Sequence, residues 1–446
     1  MKIFLLNPPG DIIRTGRLVR KSKISTQSWP PIFLAYATGV LEKLGYECML
    51  YDASVLKTSI DKTNQIIQDY NPEVIAYYWA YDTRFEDLAY AEQLAQKYRV
   101  ILVGPWSAHY PNALWECPSV ESMTWGQFEY TLPELIEKRP AKGVTYSDGR
   151  YIPQGKPYTR IDLDWMPFVT SVYKKHLIIP AYYQTSFRHP FTDLFYGHGS
   201  CPHRCAFCSW VNGMYQLDPD RTQTRSLSKL MEELWYIKNE LPEVNQVFFQ
   251  DSTLITPWAK EISQAIIDEG LEMCWGAYSR ADKDYETLKL MKEAGCRTLH
   301  VGYEVPIQSI LDEIKKDITV EQEEQFIKNV NKVGLWTSSS FMIFPWMTPD
   351  QIKYMVKWIK DNNATRINVA QLQAYPNVPI MDVIASYKDM PGKHMMDFNE
   401  MQQWEQYCFK EFYIKNPKFW MNVVTNPREW KNVVNDALGM LGFLSK

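Results

Sequence analysis

The sequence predicts an α/β protein made of two successive strand–helix series: a doubly wound parallel sheet, then a partial (β/α)6 barrel, closed by a helical C-terminal segment. Three observations carry this. Strand and helix signals alternate through residues 1–140, they alternate again from Asp193 onward, and residues 386–446 keep a helical period without strand runs. The expected organisation is a doubly wound domain over 1–140, a linker over 141–190, the barrel over 191–385 and the helical segment over 386–446.

In the first series "KIFLL" is a short apolar strand that ends in the turn "NPPG". "PIFLAYATGVLEKLG" has helical period and stops at Gly45. The strand "YECMLYD", the helix "TNQIIQDY", the strand "EVIAYYWA", the helix "FEDLAYAEQLAQKY" and the strand "VILVG" follow, and a weaker strand, "VESMTW", ends the run. Strands separated by helices imply parallel pairing, and such sheets bind ligands at the carboxyl ends of their strands. Those ends read "NPPGD", "YYWAYDT", "GPWSAHYP" and "WGQFE", rich in Pro, Gly and aromatic residues.

Residues 141–190, from "KGVTYSDGRYIPQGKP" to "IDLDWMPF", are rich in turn residues and weakly periodic, which predicts a hairpin-like linker. The second series has strands at "DLFYG", "QVFFQD", "EMCWGAYS", "TLHVGYE", "TSSSFMIF" and "RINVAQLQ". Between them lie helical stretches, among them "SLSKLMEELWYIKNEL", which puts Leu227, Leu230, Met231 and Leu234 on one face. "AKEISQAIIDEG", "YETLKLMKEAG", "TVEQEEQFIKNVNKVG" and "DQIKYMVKWIKDN" follow, with Gly270, Gly295 and Gly334 at C-terminal stops. Six strands are too few for a closed eightfold barrel. The tail, with Trp404, Trp420 and Trp430, is expected to cap the barrel or contact substrate.

With 446 residues the chain has room for two or three domains. Its 48 basic and 52 acidic residues leave a net charge of −4, which offers no basic footprint for nucleic acid. The opening apolar run is too short for a signal peptide, and no stretch approaches the roughly 20 apolar residues of a membrane span. A cytoplasmic protein with no membrane partner is expected. Aromatics reach 14%. Most are expected to be packing residues, with some lining a cavity for a large flat ligand.

Of the eight cysteines, Cys48, Cys117, Cys274, Cys296 and Cys408 are scattered, which makes no disulfide framework. Cys201, Cys205 and Cys208 stand together in "GSCPHRCAFCSW" and read as a metal site. Such a loop can curl three thiolates round one face of an iron–sulfur cube, which leaves one iron without a protein ligand. Zinc closed by His203 or His198 is the alternative. Structural zinc more often uses two paired arms of ligands, which favours the cluster.

"CPHRCAFC", with an aromatic just before the third cysteine, resembles the radical S-adenosylmethionine (SAM) superfamily, and the resemblance spans roughly residues 190–380. It implies one 4Fe-4S cluster on Cys201, Cys205 and Cys208. SAM would chelate the open iron and be cleaved to a 5′-deoxyadenosyl radical. By the same resemblance Phe207 lies beside the adenosyl group, while Gln250 and Asp251 of "FFQDST" meet the SAM amino group. Ser279 and Arg280 of "AYSRAD" meet ribose and carboxylate, and Glu304 of "VGYEV" belongs to a Gly-x-Glu site. His203 then becomes a loop residue. One departure is "FMIFPWMTPD", where Phe344 and Trp346 replace a glycine-rich turn and make the rim bulkier.

A doubly wound, Rossmann-like domain ahead of such a barrel resembles the cobalamin-binding class of the superfamily, whose opening strand also runs into "NPP". No Asp-x-His-x-x-Gly loop is present, so the resemblance implies cobalamin held without a histidine lower ligand. Candidate contacts are Pro8 and Pro9, then Tyr78, Trp79 and Tyr81 beneath the cobalt. Gly104 to Ser107 and Gly126 to Gln127 would leave room for the corrin edge and nucleotide tail. The chain lacks the extra cysteines of methylthiotransferases and of members with auxiliary clusters. The implied activity is a class B-like, cobalamin-dependent radical SAM C-methyltransferase. One SAM supplies the methyl that methylcobalamin delivers to an unactivated carbon, and a second SAM supplies the radical. A protein or peptide residue such as glutamine, or a small molecule, would be the substrate, and flavodoxin or ferredoxin the electron donor. The alternatives are a cobalamin-dependent cyclase, oxidase or rearrangement enzyme and, from another class, a non-enzymatic zinc or Fe-S binding protein.

Overall fold

The computed structural model describes residues 1–10, 12–14, 19–21, 27–152, 162–197, 201–212, 223–390, 392 and 394–425. His198 and Trp430, both singled out by the sequence, lie outside the described residues. The chain forms two compact units. The first holds Met1–Gln184, His189–Pro202 and Ser209–Val244; the second holds Thr185–Arg188, His203–Cys208 and the chain from Asn245 onward.

The first unit opens with β1 (Lys2–Asn7), an antiparallel pair β2 (Ile12–Arg14) and β3 (Val19–Lys21), α1 (Ile32–Lys43) and β4 (Glu47–Asp52). It continues with α2 (Ile60–Tyr70), β5 (Val74–Tyr78), α3 (Arg84–Ala95), β6 (Arg99–Val103), β7 (Ser122–Thr124) and α4 (Phe128–Ile136). The hairpin β8 (Val144–Tyr146) and β9 (Tyr151–Ile152), α5 (Val169–His176), β10 (Phe191–Leu194), α6 (Ser209–Asn212) and α7 (Leu227–Glu240) complete it.

The sheet order is β4-β1-β5-β6-β7-β8-β9. The first five strands are parallel and the hairpin adds antiparallel edges. Among the parallel strands this is the order 2-1-3-4-5. Because crossovers are right-handed, α1 lies on one face and the crossover helices α2 and α3 on the other, while α4 and α5 pack beside α1. Connections diverge at the adjacent ends of β1 and β5, which is where such sheets place ligands. Both faces are therefore covered, and Ile3–Leu6, Val74–Ala80 and Val100–Val103 are buried without alternation. Helix α1 is buried from Ile32 through Leu41, as its all-round apolar sequence implies.

Helix α5 escapes a sequence reading because "VTSVYKKH" is short and starts with β-branched residues of low helix propensity. Tertiary contacts hold it. Glu233 on α7, fully buried, accepts from the Thr170 amide at 3.1 Å and hydroxyl at 2.8 Å, and from Arg225 Nη1. Arg225 Nη2 donates to the Phe195 carbonyl at 2.5 Å. This network ties α5, α7 and the exit of β10 together.

The second unit runs β11 (Gln246–Phe249), α8 (Thr256–Asp268), β12 (Trp275–Arg280), α9 (Tyr285–Glu293), β13 (Cys296–Glu304), α10 (Gln308–Glu313) and α11 (Val320–Val333). Then come β14 (Trp336–Ile343), α12 (Pro349–Asp361), β15 (Arg366–Gln371), α13 (Ile380–Lys388), α14 (Phe398–Phe409), a π turn over Lys410–Ile414 and α15 (Pro417–Thr425). Its strands pair in chain order and in parallel. With β10, which begins two residues earlier than "DLFYG" and counts within the first unit, the series has the six strands the sequence predicts.

Thr185–Arg188 packs under the N-terminal ends of these strands. The Ser186 hydroxyl lies 2.9 Å from His300 Nε2, the Arg188 amide donates to Gln246 Oε1 at 2.9 Å, and Arg366 reaches the Thr185 carbonyl at 2.9 Å. Phe187 packs on Phe248 with ring centres 4.7 Å apart. At the far edge, the Tyr413 hydroxyl accepts from the Ile367 amide at 3.0 Å and donates to the Ile367 carbonyl at 2.7 Å. It thereby occupies backbone groups that an edge strand would otherwise expose. Among the described residues no helix is long and apolar enough to cross a membrane.

Candidate functional site

The polar residues singled out in the second unit all stand at C-terminal strand ends. Gln250 and Asp251 follow β11, Ser279 and Arg280 end β12, and Glu304 ends β13. Glu304 has φ of 64°, in the left-handed region that costs a residue with a side chain about 1–3 kcal/mol. The β13–β14 register shifts there. A Cβ on Gly302 would stand 2.6 Å from Glu304 Oε1 and 3.1 Å from Lys316 Nζ, so a bare position is required beside these two groups. They form an ion pair at 2.5 Å.

Lys316, unforeseen in the sequence, lies between two left-handed residues, Lys315 and Asp317, and is almost fully buried. Burial pulls its pKa down, but Glu304 and the Cys205 sulfur outweigh that and hold it above the ordinary lysine value. Its ammonium lies 6.0 Å from the Phe207 ring centre. Arg280 donates from Nη1 to Cys205 Sγ at 3.6 Å and from Nη2 to the carbonyls of Lys316 and Asp317, the latter at 3.2 Å. Lys283, also unforeseen, is buried with Nζ 2.9 Å from Ser279 Oγ. Burial lowers its pKa, with Asp282 opposing.

The cysteine loop is pinned by backbone bonds. The Ala206 amide donates to the Ile314 carbonyl at 2.8 Å, the Ile380 amide to the Ala206 carbonyl at 3.0 Å, and the Cys208 amide to the Cys205 carbonyl at 3.2 Å. Cys205 is buried, while Cys201 and Cys208 are half-buried. Burial and then the Arg280 charge push His203 down to about 4.

The donor chemistry fits a three-thiolate cluster: a pinned loop of soft ligands beside two buried cations. An orphan amide fits a polar cofactor. Gln250 is 1% exposed, and neither its amide oxygen nor its amide nitrogen has a hydrogen-bond partner among the described residues. Such a group is expected to have a partner when the site is filled. On the rim, Trp346 is stacked on Tyr387 with ring centres 5.1 Å apart, and both bond to Glu313. The bulk expected from "FPWM" is thus built into a fixed corner.

In the first unit the strand ends are aromatic. Pro8 is buried and Pro9 half-buried after β1, and Tyr78 and Trp79 are buried at the end of β5. The carboxylate of Asp87 accepts from the Ala80 amide at 3.0 Å and from Thr83 Oγ1 at 2.7 Å, fixing the loop that carries half-buried Tyr81. Gly104, at φ of 138°, brings its backbone so close that a Cβ would lie 3.1 Å from the Trp79 carbonyl. Ser107 Oγ donates to the Thr124 carbonyl at 2.5 Å. Gly126 has φ of 70°, and Gln127 caps the start of α4 without a side-chain cap bond.

Trp79 Nε1 is buried with no partner among the described residues, as is Asn7 Oδ1 at the end of β1. An amide-rimmed corrin fits such a donor and acceptor at the switch point. The sequence reading passed over His109, the one histidine in residues 1–140. It is buried after β6, and its Nε2 lies 3.2 Å from the Ser209 carbonyl, immediately past the third cysteine.

Residues 197–373 match the family model of the Radical SAM superfamily. An uncharacterized methyltransferase, PH0819, of Pyrococcus horikoshii is 27% identical over 379 residues, covering 81% of this chain and 78% of that protein. The anaerobic magnesium-protoporphyrin IX monomethyl ester cyclase of Rubrivivax gelatinosus is 22% identical over 392 residues, covering 78% of this chain and 65% of that protein. Two solved structures share the architecture. TsrM of Kitasatospora setae, a radical SAM methyltransferase with cobalamin and a [4Fe-4S] cluster bound, matches 86% of this chain and 78% of its own at TM-score 0.62 and 16% identity. OxsB, a cobalamin-dependent SAM radical enzyme with aqua-cobalamin and SAM bound, matches 99% of this chain and 72% of its own at TM-score 0.67 and 14% identity. At these identities the structural likeness is one of fold. Residues 197–373 therefore form a radical SAM domain, and the chain shares the fold of TsrM and OxsB.

Proposed function

We propose that this chain is a cobalamin-dependent radical SAM C-methyltransferase acting on an unactivated carbon, with an amino-acid residue of a protein or peptide, glutamine for example, as substrate. The observation that carries it is the pairing, in one chain, of an incomplete cysteine set beside polar strand ends with a 2-1-3-4-5 sheet that has aromatic strand ends. The methyltransferase relative from Pyrococcus horikoshii supports the reaction type.

When bound, the cluster and SAM supply hydrogen-atom abstraction and cobalamin supplies the methyl. In this reading Cys201, Cys205 and Cys208 hold the cluster. Gln250 and Asp251 bind the SAM amino group, Ser279 and Arg280 its ribose and carboxylate, Glu304 helps orient it, and Phe207 covers the adenosyl group. The 1–140 segment would hold cobalamin, with Tyr78, Trp79 and Tyr81 among the residues packing against it. Pro8, Pro9, Gly104, Ser107, Gly126 and Gln127 shape its edge. The Trp346–Tyr387 corner, fixed by Glu313, gives the rim its bulk. The electron donor is of flavodoxin or ferredoxin type, and the protein works in the cytoplasm.

The test is anaerobic reconstitution of the full chain with iron, sulfide and hydroxocobalamin. Corrin and iron–sulfur spectra are expected together. With dithionite as reductant, SAM should then yield S-adenosylhomocysteine and 5′-deoxyadenosine, with a methyl-sized mass increase in candidate substrates. No bound corrin would sink the proposal, and zinc without iron would move the chain to the non-enzymatic class. A second reading, radical chemistry without methyl transfer, is favoured by the cyclase relative. It predicts 5′-deoxyadenosine without S-adenosylhomocysteine.

A further inference from the structure

The guanidinium of Arg280 is engaged on the cysteine side of the site. One nitrogen donates to Cys205 Sγ at 3.6 Å, and the other is bracketed by the carbonyl oxygens of Lys316 and Asp317. Nε lies 3.7 Å from Asp282 Oδ2. The residue is only 5% exposed. A planar fork held by carbonyls from a loop with two left-handed residues cannot swing away without leaving buried donors unpaired. Glu304 pairs with the neighbouring Lys316, so it does not neutralise Arg280.

Resting on the function proposed above, we propose that Arg280 tunes the cluster, raising its reduction potential through the N–H···S bond to Cys205 and through its fixed charge. A cluster on three thiolates gains one unit of negative charge when it accepts an electron. A buried cation and a sulfur-directed donor stabilise that reduced state more than the oxidised one. The carbonyls of Lys316 and Asp317 are the positioning groups. They explain why a loop far along the chain is folded onto the end of β12. Arg280 thus has a task beyond contact with SAM.

The experiment uses the full chain with its cluster reconstituted, as wild type, Arg280→Gln and Arg280→Lys. Each is titrated with dithionite in the absence of SAM, and the reduced cluster is followed by electron paramagnetic resonance. SAM affinity is measured separately by calorimetry. Arg280→Gln should shift the midpoint to lower potential at unchanged iron content. Arg280→Lys should fall between, because an ammonium keeps the charge but cannot hold the sulfur and both carbonyls together. An unmoved midpoint in a fully loaded Arg280→Gln variant overturns the inference, even if SAM binding weakens. Loss of the cluster from both variants marks a structural role and also overturns it. A wild-type chain that binds no iron–sulfur cluster overturns the proposed function itself.

Discussion

The strand ends of the two units differ in chemistry. In the second unit they hold buried charge: Arg280 on loop carbonyls, Glu304 on Lys316, Lys283 on Ser279. In the first they hold aromatic rings and prolines with buried acids that are already engaged: Asp52, ending β4, accepts from Asn7 Nδ2 at 2.9 Å and the Tyr182 hydroxyl at 3.0 Å, and Asp87 accepts from the Ala80 amide and Thr83 hydroxyl. Buried charges are tolerated only with partners, so the second set is organised before any ligand arrives. The first set is largely buried, with two polar atoms that have no hydrogen-bond partner among the described residues, Trp79 Nε1 and Asn7 Oδ1. Under the proposed function the charged set would meet SAM and the aromatic set the corrin.

The largest break in that comparison is expected from replacing Cys201, Cys205 and Cys208 by Ala. SAM cleavage should fall to background with loss of iron, while corrin binding by the first unit, read from its visible spectrum, stays at the wild-type level. Next comes Glu304→Gln, made together with Lys316→Met so that no ammonium is left unpaired. Losing charge-assisted bonds to SAM should weaken its affinity about thirtyfold, ~2 kcal/mol, by calorimetry. Unchanged affinity would remove Glu304 from the SAM site.

His300 tests the closed end of the second unit. Burial, with the Arg366 charge, holds its pKa down at about 3. The unfolded chain takes up this proton near pH 6.5 and the folded chain does not. Stability from the neutral ring is therefore full above about pH 6.5 and is lost as pH falls toward 3. Between pH 7 and pH 5 the loss should be about 2 kcal/mol in chemical denaturation, and Glu or Lys changes elsewhere should leave it intact. His300→Gln, which keeps a partner for Ser186, should lack this component of the slope. The smallest effect is expected at Trp79→Phe. Removing the indole N–H while keeping an aromatic ring should weaken corrin binding about fivefold, ~1 kcal/mol, with SAM cleavage in the absence of substrate unaffected.

Much of this was legible in the sequence because periodicity reports burial directly. The continuous apolar run "VIAYYWA" is a central strand, and "TVEQEEQFIKNVNKVG" carries its own start and stop, confirmed by the Thr319–Gln322 capping box and left-handed Gly334. The cysteine spacing was visible for the same reason: it is a local feature. What was hidden depends on chain reversal. Lys316 sits in "IKKDIT", which reads as a solvated charge run, yet left-handed Lys315 and Asp317 turn it inward. The left-handed backbone of Glu304 has no signature either, since glutamate does not favour it. His109 was passed over because its partner, Ser209, lies a hundred residues away.

The four residues Thr185–Arg188 belong by contact to the second unit, although the chain on either side belongs to the first. Modularity in the gene and modularity in the fold therefore do not coincide. A gene fragment beginning at residue 191 would encode every strand of the second unit but leave behind the piece that covers Phe248 and His300 and satisfies Arg366. Such a fragment should be insoluble or less stable than the full chain. In recombination between relatives, the barrel can be inherited intact only if it brings along the stretch that precedes it.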